Sequence, residues 1–197
     1  MNWEEYRDAI DRRVSALDRK QKVALGLICC ERVAPLCARF AEVDEWFDLD
    51  ALTRSRLAAR QWLLGGDVDF VTVDLEVGEA FDYFTDYFDF EEPVSEWAIY
   101  AFYGAKVHLN LVYQLKRDDA EPLLRILTTC YDLVDRHIQD QLDPDFQTTL
   151  VPDQIEQHAL LRAEVDWQIS HLDRLSQTVD PIRFLIDSNT MPIIDLG

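Results

Sequence analysis

Val23, Leu27, Cys30, Ala34, Cys37 and Ala41 recur at alternating steps of four and three, which sets six apolar side chains on one face of a single helix. A chain that spends its apolar residues at this period is committed to packing helices against helices. The same period recurs in the rest of the chain. Trp97, Tyr100, Ala101, Gly104, His108, Leu111 and Leu115 share one face of a segment whose other face carries Ile99, Phe102, Tyr103 and Val107. A helix apolar nearly all round belongs in the middle of a core.

Punctuation residues divide the chain. Asn2 or Trp3 opens a segment running to about Leu17, with acids in its first turn as the helix dipole favours. The second segment spans roughly Arg19 to Val43. Pro35 inside it removes the amide that would bond the Glu31 carbonyl, which predicts a kink. Asp50 is the expected cap of a third helix carrying Leu52, Leu57 and Leu64 and stopping at Gly65-Gly66. Val71, Val73, Leu75 and Val77 alternate with polar residues as in a strand, but no second strand is present to pair with them. The expectation is an extended connector, then a short helix from about Gly78 to Phe90. Pro93 or Ser95 begins the central helix, to about Leu115, and Asp119 with Pro122 begins the next, to about Leu142. Asp153 and Glu156 resemble a capping box opening a last long helix that reaches about Thr178. Asp180-Pro181 closes it, leaving a short tail from about residue 180. The expected fold is all-α: one domain over residues 1–197, an irregular bundle of about seven helices with one kinked at Pro35.

Charge is the second constraint. Between Gln61 and Ala105 stand eleven carboxylates and no Lys or Arg, which is −11 of a formal −19. Phe81, Tyr83, Phe84, Tyr87, Phe88 and Phe90 are threaded through this stretch. Such a balance disfavours nucleic acid and anionic membranes as partners, since both repel it, and favours a basic protein. The simpler account is a solvated acidic face over the core. Yet two aromatic faces exceed what one docked helix buries. Asp82, Tyr83, Asp86, Tyr87, Asp89, Glu91 and Glu92 are therefore the candidate partner-binding residues, with Tyr anchors and charge steering.

With the helices placed, the chain resembles the YjaG-like family of bacterial helical proteins. The resemblance is carried by Cys30-Glu31-Arg32 with Pro35 and Phe40, by Ser95-Glu96-Trp97-Ala98-Ile99-Tyr100, by Glu164-Val165-Asp166-Trp167-Gln168, and by Ser188-Asn189 before Met191-Pro192-Ile193-Ile194. It implies an all-helical fold and no established activity. The Val68–Glu76 stretch and the extreme acidity depart from that pattern.

Candidate chemistry is sparse. Cys29, Cys30, Cys37 and Cys130 sit in apolar helical pattern and read as reduced core thiols of a cytoplasmic protein, with Cys29 the one expected to be partly exposed. Cys30 and Cys37 are about 10.5 Å apart along a helix axis, too far for one zinc ion. His108 lies on a core stripe, and His137, His158 and His171 form no Glu-x-x-His or His-Glu-x-x-His pattern. Trp167 is offset from its helix's apolar stripe and is expected to pack on another element. No catalytic residue, metal or cofactor is expected, and no leader or membrane-spanning run is apparent. Glu31 and Arg32 flank the carbonyl freed by Pro35. Either they pair with neighbouring helices or they line a polar pocket where Arg32 holds an anion. Two functions remain open: an acidic binding protein that occupies a basic partner, as an immunity or inhibitor protein occupies a toxin, and a housekeeping protein with a small-ligand pocket at Glu31 and Arg32.

Overall fold

Asn2 starts the first helix because its side chain accepts the amide of Glu5 while the Glu5 carboxylate takes the amide of Asn2, a reciprocal capping box. Asp18 and Gln21 repeat that device, and Ser95 caps the central helix at Ala98. In this computed structural model the described residues are 2–90, 95–143, 155–188 and 191–194, without the side chains of Asp86, Asp89 and Phe90. They form eight helices and no strand: α1 (Trp3–Ser15), α2 (Arg19–Ala41), α3 (Leu49–Leu63), α4 (Phe70–Phe90), α5 (Glu96–Lys116), α6 (Glu121–Leu142), α7 (Ala159–Ser176) and α8 (Pro181–Asp187). The fold is the expected irregular all-α bundle, with eight helices where about seven were expected.

The antiparallel pair α2 and α5 is the spine. Helices α1, α6, α7 and α8 pack along one side of it, and α3 and α4 along the other. Gly104 permits the close approach of the pair, since a Cβ there would stand 2.3 Å from Cys37 Sγ. Two apolar clusters result. The larger joins α1, α2, α3, α5, α6, α7 and α8 around Tyr6, Ile28, Leu111 and Leu127. The smaller joins the ends of α2 and α5 to α3 and α4 around Phe40, Phe47, Leu52 and Phe84.

The stretch read as an extended connector is the start of α4. Asp69 supplies the missing cap: its Oδ1 accepts the amides of Val71 and Thr72, and its Oδ2 accepts the Thr72 hydroxyl at 2.7 Å. Val73, Val77, Ala80 and Phe84 then line one helical face at steps of four, three and four, and the last three are buried. Two of the four residues that alternate like a strand, Val73 and Val77, thus fall on the helix's buried face. Helix wins because it gives those side chains a core, whereas a strand here has no edge to pair with. The cost is that Val71 and Leu75 point outward.

Four smaller corrections follow from local geometry. Asp48, not Asp50, caps α3, accepting the Ala51 amide at 3.0 Å. The long helix α7 begins at Ala159, with His158 Nδ1 accepting the Leu160 amide; Asp153 lies outside the described residues. The start of the expected tail is itself helical, as Asp180 caps α8. Cys29 is fully buried, not partly exposed. Helix α2 runs from Arg19 to Ala41 with Pro35 inside it. One residue past the carbonyl that Pro35 deprives of its donor, the Arg32 carbonyl accepts the amide of Ile193 at 3.2 Å. That contact fastens the C-terminal stretch to α2, where Ile193 and Ile194 are buried.

Candidate functional site

The acidic aromatic helix α4 turns both of its aromatic faces toward protein. Phe84 is fully buried, with ring centroids 5.5 Å from Phe40 and 5.2 Å from Phe47. Phe81 and Phe88 lie against Phe102 of α5 at 5.3 and 5.6 Å. Tyr83 and Tyr87 are half-buried against Phe47 and Phe40, and the Tyr83 hydroxyl donates to Asp44 Oδ2 at 2.7 Å. The five rings among the described residues are not a surplus once Phe40, Phe47 and Phe102 arrive from distant segments to receive them, and the Phe90 ring lies outside the described residues. Of the candidate binding residues, Asp82 is exposed, while Tyr83 and Tyr87 are wall as much as surface. The side chains of Asp86 and Asp89, and Glu91 and Glu92 entirely, lie outside the described residues.

Charge on α4 is partly met from its neighbours. Lys116 of α5 pairs with Asp74 at 2.7 Å, and Arg54 of α3 pairs with Glu76 at 2.7 Å. The outward strip is left with Val71, 79% exposed, Leu75, 62% exposed, and the exposed Glu79 and Asp82. Beside Tyr83 and Tyr87 runs the loop from α2 to α3. It carries Glu42, Asp44, Glu45 and Asp48, Asp50 follows in the first turn of α3, and there is no base between Arg39 and Arg54. Its Trp46 is 80% exposed and its Val43 66%. Sequence reasoning passed over this second base-free run, whose signal is its composition.

Glu31 and Arg32 diverge, as successive helical residues must. Glu31 faces α3, paired with Arg60 at 2.7 Å and Arg56 at 3.2 Å. Arg32 is buried and makes a two-pronged contact with Glu164 of α7, Nη1 to Oε1 at 3.1 Å and Nη2 to Oε2 at 2.6 Å. Its Nε donates to the Met191 carbonyl, and its guanidinium lies 3.7 Å over the Trp167 ring. Trp167 stacks in turn on His171 at 4.0 Å. Glu164 also accepts from Gln168, whose Oε1 accepts the buried Tyr6 hydroxyl at 2.7 Å. Burial works to lower the Arg32 pKa, but the charge and hydrogen bonds of Glu164 outweigh it and raise the value. Burial, then the charge of Glu164, raises the Tyr6 phenol well above its usual range. The anion that Arg32 holds is thus supplied by the chain itself.

A second polar cluster joins α5 to the end of α6. The Gln141 amide nitrogen, which can only donate, lies 2.9 Å from His137 Nε2, so His137 carries its proton on Nδ1 and donates it to the Tyr100 oxygen at 2.9 Å. Tyr100 then donates to Glu96. Burial lowers the pKa of His137, while burial and Glu96 raise that of Tyr100. Elsewhere, a groove of about 850 Å³ between α1 and α6 is lined by charges of both signs, including Arg7, Asp8, Arg125 and Asp132. Among the described residues no cluster of His, Cys, Asp and Glu is arranged to hold a metal, and no helix is long and apolar enough to cross a membrane.

The chain is similar in structure to a DUF416 family protein from Shewanella baltica OS155, solved by crystallography. The TM-score is 0.71 at 18% identity, over 89% of this chain and 90% of that one. The fold is shared. At that identity the likeness carries the fold alone, and the neighbour's family has no known function. Neither a protein-family model nor a curated protein matches the chain.

Proposed function

We propose that this chain is a non-enzymatic binding protein whose acidic face occupies a basic protein partner, in the manner of an immunity or inhibitor protein that blocks a toxin. One observation carries the reading: the outward side of α4 keeps Val71 and Leu75 in solvent next to Glu79 and Asp82, although Phe84 of the same helix is buried and Phe81, Tyr83, Tyr87 and Phe88 pack against the core. Apolar contact area bordered by a single sign of charge suits a partner that presents Lys and Arg around an apolar patch. The same charge repels nucleic acid and anionic lipid. Four buried free thiols fit a reducing cytoplasm.

A small-ligand pocket at Glu31 and Arg32 is the weaker reading, because both side chains already hold partners from the chain. Kinship with the YjaG-like family remains part of the proposal. Three of the four segments carrying the resemblance meet around Arg32, through Glu164, Trp167, Gln168 and Met191.

The test is affinity capture from the native host at two salt concentrations, with the wild-type chain and with a variant carrying Asp82→Lys, Asp86→Lys and Asp89→Lys. A basic protein retained by the wild type at low salt and lost from the variant is the expected outcome. Identical captures with identical salt dependence would end the proposal.

A further inference from the structure

We propose that Trp46 is the apolar anchor through which this chain docks its basic partner. The inference rests on the binding reading above and adds to it the residue and the partner's complementary shape. Trp46 lies on a loop that is held at several points. Asp44 Oδ1 accepts the Trp46 amide at 3.0 Å, and Asp44 Oδ2 accepts the Tyr83 hydroxyl at 2.7 Å, so one carboxylate ties the loop to itself and to α4. The next residue, Phe47, is buried with its ring 5.3 Å from Phe40. The residue after that, Asp48, caps α3. Phe47 and Trp46 are adjacent aromatics with opposite fates, one sealed in the smaller apolar cluster and the other held out in solvent.

An indole on a pinned loop loses little freedom when it is bound, and Trp is the residue type most enriched among the few that dominate binding energy. Val43 broadens the apolar area on the same loop. The surroundings choose the occupant. Glu42, Asp44, Glu45, Asp48 and Asp50 come without a base between Arg39 and Arg54, and the two flanking bases are already engaged, Arg39 by Glu42 and Arg54 by Asp48 and Glu76. A partner fitting this site has an apolar cleft wide enough for an indole, rimmed by Lys and Arg. A nucleic acid or an anionic bilayer meets the same carboxylates and is repelled.

The experiment places the photo-crosslinker p-benzoylphenylalanine at position 46, 75 or 179 of the full chain, expressed in its native host. Val179 is the exposed control outside this surface. Position 46 is expected to give adducts with a protein of isoelectric point above about 9, absent when salt is raised to about 0.5 M before irradiation. Position 179 is expected to give none of them. With that protein purified, Trp46→Ala should weaken binding at least about thirtyfold, chiefly through faster dissociation, whereas Glu45→Lys should slow association and flatten its salt dependence. Adducts at 75 but not at 46 would overturn the Trp46 anchor and leave the α4 surface standing. No basic adduct at either position would overturn both. A blue shift of Trp46 emission on adding phosphatidylcholine vesicles, judged against Trp46→Phe, would make the indole a membrane anchor and refute the proposal.

Discussion

Removing Glu164 should be among the most damaging single changes available to this fold. Glu164 accepts two hydrogen bonds from Arg32, at 3.1 and 2.6 Å, and one from Gln168 at 2.8 Å, and it is buried. Glu164→Ala strands the Arg32 guanidinium where water cannot reach it, with only the Met191 carbonyl and the Trp167 face as partners. Breaking a buried pair from one side costs about 3–5 kcal/mol. For a chain of this length each kcal/mol moves the midpoint by about 2–4 °C, so Tm should fall by about 6–20 °C. The pair itself is a different quantity from its breakage. Converting both residues, Arg32→Met with Glu164→Leu, removes the stranded charge together with its partner. That double variant should recover at least half of what Glu164→Ala loses, with a coupling of about 2 kcal/mol. Urea unfolding followed by circular dichroism measures Glu164→Ala and the four corners of the cycle: wild type, Arg32→Met, Glu164→Leu and the double variant. A loss under about 1 kcal/mol for Glu164→Ala, or strict additivity of the two single changes, would refute the reasoning.

His108 is fully buried; burial lowers its pKa to about 4, and its Nδ1 donates to the Gly104 carbonyl. Its folded value lies below the unfolded value of about 6.5, so the unfolded chain takes up the proton first. Stability is then complete above about pH 6.5 and falls as pH drops toward 4, by up to about 1.4 kcal/mol per unit and about 3 kcal/mol in all. His108→Asn should remove that part of the slope, and equal slopes in both proteins would refute it. Gly104→Ala should cost about 1–3 kcal/mol through the clash with Cys37 Sγ, and Cys37→Ala in the same chain should restore most of the loss in thermal melts.

The parts of the fold that were legible in the sequence are those set by neighbours in the chain. Asn2 with Glu5, Asp18 with Gln21, and Ser95 with Ala98 announce helix starts through contacts three residues apart. The start of α4 was misread because Val71, Val73, Leu75 and Val77 satisfy two periods at once. What decides between them is the rest of the core, with Asp69 the one local clue. The candidate site divides in the same way. The charge of α4 can be read along the chain, but the depth of Tyr83 and Tyr87 cannot. They are sunk by Phe40 and Phe47, residues about forty positions earlier on other elements. Arg32 and Glu164 are 132 residues apart, and only the folded chain shows that each is the other's partner.

The unequal division of the core carries a consequence for how the protein comes apart. The smaller cluster, around Phe40, Phe47 and Phe84, takes residues from both base-free runs of the sequence, whereas the larger takes buried residues from the Gln61–Ala105 run alone, Leu63 and Tyr100. Self-repulsion is therefore concentrated on the half with the least apolar burial to oppose it, and dissolved ions screen it over a Debye length of about 8 Å at physiological strength. Amide exchange in α3, α4 and the loop between α2 and α3 should run ahead of exchange in α6 and α7, with the gap widening as salt is withdrawn. A basic partner seated on that half would do locally what salt does everywhere, and the weaker end of the molecule would become rigid only when occupied.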